Sequence, residues 1–242
     1  MIRRAAWAAV VLLVAIGVAA AIGRSVFVHS FAHRAEPIRE RMMHSLGREN
    51  VTYREEDLTE VDTKFGRWPA ITLLHVVPGG LFLLLAPLQL AGGFRDRHRR
   101  IHRRLGRVLM IAAMISAACG LFFGLYHPLG GWLEALGIVT FGALLFVCAI
   151  RGWVAIRNGH VEVHREWMIR TFAVALAIST VRVMVTAFDI AGLMTPHLRG
   201  MFTVSIWSGW LLTVGLAEIW IRHTRRSSHD HRFALDPLQQ KA

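Results

Sequence analysis

Cysteine is nearly absent from this chain, with two in 242 residues, Cys119 and Cys148. Both lie inside apolar stretches and at different depths along helices, so free thiols packed as small apolar groups are expected and a disulfide is not. Alternation of apolar and polar residues is missing from the long hydrophobic runs, which argues against membrane β-barrel strands. No serine or cysteine stands near a base at a recognisable nucleophile spacing, so hydrolytic catalysis is set aside. Any enzyme activity would be redox in kind. Acidic residues are sparse as well, 16 against 28 Lys and Arg, for a formal charge of +12.

What the chain does hold is hydrophobic sequence, 54% of its residues. Six stretches reach the ~20 residues that cross about 30 Å of hydrocarbon. They run from Ala6 to Val26, Ile71 to Leu90, Val108 to Tyr126, Trp132 to Ile150, Trp167 to Ile190 and Met201 to Ile221. Backbone hydrogen bonds must be satisfied within the segment in lipid, so these are helices. The expected fold is all-α, a polytopic membrane protein of six transmembrane helices. Residues 1–28 form an N-terminal anchor, 29–69 a periplasmic segment, 70–222 the helical bundle and 223–242 a basic tail. Arg3 and Arg4 before an apolar run and the small residues "VAAAIG" also suit a signal peptide, but the run is longer than the usual signal core, which favours a retained anchor.

The arginines give the orientation. Lys and Arg number 2 at the N-terminus, 7 in residues 92–107, 4 in 151–170 and 5 from Arg222 onward, all on one side of a six-span arrangement. On the other side, residues 29–69 balance 7 basic with 8 acidic residues, the turn from His127 to Gly131 has no Lys or Arg, and the last turn has Arg199 alone. The positive-inside rule then puts both termini in the cytoplasm of a bacterial inner membrane. The charge serves topology and anionic headgroups on the cytoplasmic face, and nucleic acid is a poor partner for it.

Two cytoplasmic connections repeat each other. "FRDRHRRIHRR" (94–104) aligns with "IRNGHVEVHRE" (156–166) at an offset of 62, matching Arg95 to Arg157, His98 to His160, His102 to His164 and Arg103 to Arg165. Each lies between an inward and an outward span. Spans two to five therefore read as two parallel-repeat hairpins forming a four-helix core, with the repeat axis along the membrane normal. Residues four apart share a helical face, so each hairpin offers a histidine pair, His98 with His102 and His160 with His164. Facing imidazoles suit haem iron, with His102 and His164 the first candidates, or a histidine-rich zinc or copper site to which His98 and His160 contribute. Arg103, Arg107, Arg165 and Arg170 would then hold propionates or lipid phosphates. Juxtamembrane His and Arg also occur simply because they sit well among headgroups.

A second polar cluster falls at the opposite face: His75, His127, Glu134, Asp189 and, deeper, Arg182. An arginine inside a span is expensive and faces the bundle interior with a partner. Two readings are open, a pocket for an anionic or propionate group and a structural contact of Arg182 with Asp189 or Glu134. Pro78, Gly79 and Gly80 after His75 permit close approach to the backbone or close helix packing. Near the last cytoplasmic end, Glu218 is expected to reach toward Arg222.

"HVVPGGLFLLLAPLQL" from His75, "HRRLGR" from His102 and "HREWMIRTFAVALAISTVR" from His164 resemble the bacterial membrane family known as domain of unknown function 2306. The resemblance covers about residues 70–190. It implies a multi-span protein without an established activity, and His75, His102, Arg107, His164, Trp167, Arg170 and Arg182 match its pattern. Ala86 stands where members often carry glycine. A looser architectural likeness is to two-haem membrane cytochromes b, with His102 and His164 as an inner pair and His75 and His127 as an outer one. The fourth span, however, carries no histidine. Three functions follow: a b-type haem protein for membrane electron transfer, a cofactor-free accessory protein binding lipid headgroups or a partner subunit, and a small transporter or metal-handling protein.

Overall fold

The computed structural model describes residues 2–31, 65–126 and 128–239, and among these it is helical apart from short turns, with no strand. Seven helices follow in order: α1 (Ile2–Phe31), α2 (Pro69–Leu90), α3 (Gly92–Arg97), α4 (Arg99–Tyr126), α5 (Trp132–Arg157), α6 (Val161–Ile190) and α7 (Met194–Gln239). All but the short α3 are long and apolar enough to cross a membrane. The fold is that of a six-span helical membrane protein. Residues 32–64 of the expected periplasmic segment and His127 lie outside the described residues.

The helices overrun the apolar runs at their arginine-rich ends. α4 starts at Arg99 and α6 at Val161, so the basic segments expected as connections are mostly first turns of helix. Arginine is a good helix former, and hydrogen bonds already made in the apolar run extend readily into the headgroup zone. The same continuation carries α7 on to Gln239, through most of the basic tail from residue 223. Turns are punctuated by glycine where the chain must adopt positive φ, at Gly159 (φ 79°) after α5 and Gly192 (φ 73°) after α6.

α2 and α4 form one hairpin, α5 and α6 the other. Each helix of one hairpin packs on one helix of the other, α4 against α5 and α6 against α2, which closes a four-helix ring. That is the arrangement expected of two hairpins related by an axis along the bundle. The two cross-hairpin contacts are unequal. α4 packs extensively on α5, while α2 and α6 touch less and α1 packs against both of them. Val14 of α1 accordingly joins Phe82, Leu83, Ala86, Leu109, Ala113, Phe172 and Leu176 in the larger core cluster.

The closest interface is between α6 and α7. Gly209 lies so near the α6 backbone that a Cβ there would be 2.9 Å from the Val181 nitrogen, the small-residue contact by which membrane helices approach. Hydroxyls of Thr180 and Thr213 meet beside it at 2.7 Å. Trp210 donates its indole N–H to the Val174 carbonyl and Trp207 to the Leu133 carbonyl, both at 3.0 Å, tying α7 to α6 and α5. In hydrocarbon, where water offers no alternative, such bonds contribute about 0.6 kcal/mol each.

Candidate functional site

The ring encloses a cavity of about 310 Å³ at the end away from the arginine-rich turns, lined by all of the membrane-crossing helices. Its deeper walls are apolar, with Phe82, Leu83, Leu145 and Val174 among them, and its polar groups are few: His75, Ser116, Glu134 and Arg182. This volume and this distribution are those of a small-molecule site, apolar with a few placed polar groups.

His75 is held by a reciprocal contact between α2 and α4. Its Nδ1–H donates to the Ser116 carbonyl at 2.8 Å, and the Ser116 hydroxyl donates to the His75 carbonyl at 2.6 Å. Because a carbonyl only accepts, Nδ1 carries the proton and Nε2 is left as a lone-pair acceptor, with no partner among the described residues. Gly120, one turn beyond Ser116, provides room for the ring, since a Cβ there would meet His75 Cε1 at 2.9 Å. Gly79 does the same for the Ser116 hydroxyl at 2.6 Å, so the Pro-Gly-Gly segment serves close helix packing.

Arg182 lines the cavity without a hydrogen bond or ion pair to any described residue. Its side chain keeps an exposed surface, as a group at the open rim of a cavity does. The structural contact with Asp189 or Glu134 is therefore not made. Glu134 is buried in the first turn of α5 and accepts the Gly130 N–H at 2.5 Å, where the positive helix end favours a carboxylate. Arg24 of α1 stands within electrostatic reach of Arg182, its guanidinium 4.6 Å over the ring of Phe65, which itself lines the cavity.

The arginine-rich end is built differently. His164 donates its Nδ1–H to the Gly152 carbonyl at 2.8 Å, and His102 lies near enough for the two charges to interact. The Nδ1 of His102 and both amide atoms of Gln89 are buried without partners among the described residues. His98 and His160 are not helix-face partners of these residues: each is exposed and occupies the position just before a helix, where its carbonyl accepts the first helical N–H, from His102 and from His164, at 2.9 Å. The repeat therefore survives as a repeated helix start. Among the described residues no three His, Cys, Asp or Glu side chains converge to hold a metal ion.

The arginines at this end are mostly committed or solvated. Arg170 forms a two-pronged pair with Glu218 of α7, at 2.5 and 3.0 Å, stacks on Trp167, and reaches Glu166 at 3.8 Å. Glu218 thus turns to Arg170 and not, as expected, to Arg222. Arg225 pairs with Glu166. Arg103 and Arg107 are exposed, with Arg107 folded back on the Arg103 carbonyl at 3.2 Å, and Arg165 is half-buried. The structure thus brings His75 and Arg182 to one cavity and His102 near His164 at the other end. Sequence reasoning missed Ser116, Gly120 and Arg24. The first two carried a signal, a small polar residue and a glycine four apart in an apolar run, which share one helical face.

Among curated proteins and among solved structures none matches the chain. Residues 72–221 match the family described as predicted membrane protein (DUF2306), a stretch that holds the four-helix ring, His75, Arg182, His102 and His164. The chain belongs to that family of membrane proteins.

Proposed function

We propose that this protein binds an amphipathic molecule within the membrane, with its polar head between His75 and Arg182 and its apolar part in the cavity below. The observation that carries the reading is Arg182, which has no hydrogen bond or ion pair among the described residues. An arginine at depth in a membrane helix costs about 2.5–3.5 kcal/mol on insertion scales, and burial in a bundle normally supplies it with a carboxylate or carbonyl partner. Here Arg182 stands at the cavity without one among the described residues, beside an imidazole whose tautomer is set by a backbone carbonyl. In this reading the protein lies in the bacterial inner membrane with both termini cytoplasmic, its arginine-rich turns among anionic headgroups. Extraction of the purified protein and mass analysis of what copurifies tests it. A stoichiometric lipid or lipophilic cofactor, lost on Arg182→Gln, is expected, and a clean protein that no amphiphile stabilises sinks the idea.

A second reading, b-type haem and membrane electron transfer, draws support from the arginine-rich end. There His164 has the Nδ1-to-carbonyl bond that ligating histidines use to orient Nε2, and His102 is its neighbour. Haem, when bound, would supply one-electron chemistry, and His102 and His164 would hold it. The absorption spectrum of detergent-purified protein, as isolated and after dithionite, decides. A Soret band lost on His164→Ala supports haem, and a flat spectrum from cells supplied with haem removes it.

A further inference from the structure

The polar groups of the cavity call for a head that both donates and accepts, and its walls call for a ring. We infer that the ligand is a membrane-soluble hydroquinone, one phenolic O–H donating to His75 Nε2 and a second ring oxygen accepting from Arg182. The inference rests on the binding reading above and names the ligand class.

Hydrogen-bond polarity is the first argument. With Nδ1–H committed to the Ser116 carbonyl, the neutral imidazole of His75 presents only an acceptor to the cavity. The Ser116 hydroxyl is committed to the His75 carbonyl and cannot serve Nε2. Arg182 presents only donors, lines the same cavity and lies within electrostatic reach of His75. Arg24 and Glu134 have partners of their own, so the ligand is matched to His75 and Arg182. A head that fits them carries a donor and an acceptor on separate atoms. A carboxylate and a phosphodiester have acceptors alone and would set lone pair against lone pair at Nε2. A quinone fails there for the same reason, since both of its ring oxygens are carbonyls. The two-electron reduced form has O–H groups and meets both demands.

The walls are the second argument, and they separate a phenol from an aliphatic alcohol. Phe65, Phe82, Phe123, Phe141, Phe202 and Trp210 all line the cavity. Phe123 meets His75 edge-to-face with 6.4 Å between centroids and packs on Phe65 at 4.7 Å, so the imidazole is framed by aromatic rings. Phe141 of α5 stacks on Trp210 of α7 at 4.8 Å. Such surfaces favour a planar ring, which can stack on one neighbour and turn its edge to another. A phenol is also a stronger donor than an aliphatic alcohol, because its conjugate base is delocalised and its pKa is about 10. The aliphatic walls at Leu83, Leu145 and Val174 then take the first part of a hydrocarbon or isoprenoid tail.

The test uses the full-length protein in detergent under anaerobic conditions, with titration calorimetry and thermal stability as readouts. The probes are a decyl-substituted benzohydroquinone, the matching quinone, the hydroquinone dimethyl ether, decanol and decanoate. The hydroquinone is expected to bind at least tenfold more tightly than each of the others. A tenfold preference over the quinone raises the reduction potential of the bound couple by about 30 mV. His75→Asn keeps an N–H for the Ser116 carbonyl and loses the Nε2 acceptor, so the preference for the reduced form should vanish. Arg182→Gln should weaken hydroquinone and quinone alike, because both offer an oxygen to the guanidinium, and leave their ratio unchanged. Equal binding of hydroquinone and quinone by the unaltered protein, a preference that survives His75→Asn, or tighter binding of decanol or decanoate overturns the hydroquinone inference while leaving amphiphile binding intact. Binding of none of the probes overturns both.

Discussion

Arg170 and Arg182 stand twelve residues apart on α6 and live in opposite circumstances. Arg170 has Glu218 on two prongs, Glu166 alongside and Trp167 beneath it, and it joins α6 to α7. Arg182 faces a cavity, has no carboxylate partner among the described residues, and shares its surroundings with a second arginine. Both lie within the stretch that matches the family, yet the first is accounted for by the described fold and the second is not. An arginine that its own chain satisfies holds helices together, whereas one without a partner among the described residues is, in the proposed reading, available to a ligand.

The contrast is broken most sharply by exchanging stability for binding at the two positions. Arg182→Gln should lower affinity for the amphiphile by about 10- to 100-fold, the value of one charged hydrogen bond, while the thermal midpoint in detergent stays level or rises. A fall in midpoint would show Arg182 to be structural after all. Arg170→Ala should do the reverse, destabilising by about 1–2 kcal/mol once partial exposure is allowed for, and leaving binding unchanged. Combining it with Glu218→Ala should cost little beyond either change alone, because both remove the same pair. Additive losses would show that the two groups act independently.

Smaller effects sharpen the picture. Gly120→Ala puts a methyl 2.9 Å from His75 Cε1 and should shift the ring by a few tenths of an ångström. A drop in affinity of about threefold, with unchanged stability, is expected if Nε2 meets the ligand, since a weakened hydrogen bond loses a fraction of its ~1 kcal/mol. The smallest effect belongs to Arg225, whose side chain is 66% exposed beside Glu166. Arg225→Ala should leave the midpoint unchanged within error at moderate salt, and a marked loss there would show that the Arg170 pair depends on a wider network.

The bundle was legible because its signals are local. Runs such as Trp167 to Ile190 announce a helix by length and hydropathy alone, and the offset of 62 between His102 and His164 announced two hairpins before any packing was seen. Helix ends were less legible. Arg99 and Arg100 are as compatible with a loop as with a first turn, and only continuity with α4 makes them helical. His98 was misplaced for the same reason, since a cap and a helix face differ by one residue of register. The Arg170–Glu218 pair was invisible because its members are 48 residues apart and their meeting depends on how α7 is rotated against α6.

From the sequence alone came six apolar helices, the repeat and the two arginines on one helix, all of which follow from hydrophobicity and charge read along a line. The tertiary structure alone decided that Arg170 is paired while Arg182 has no partner among the described residues, that Ser116 sets the His75 tautomer, and that Arg24 stands within electrostatic reach of Arg182. The reason is physical: transfer from water to lipid sums over residues of one segment, whereas a hydrogen bond or an ion pair depends on distances between segments, which only packing fixes.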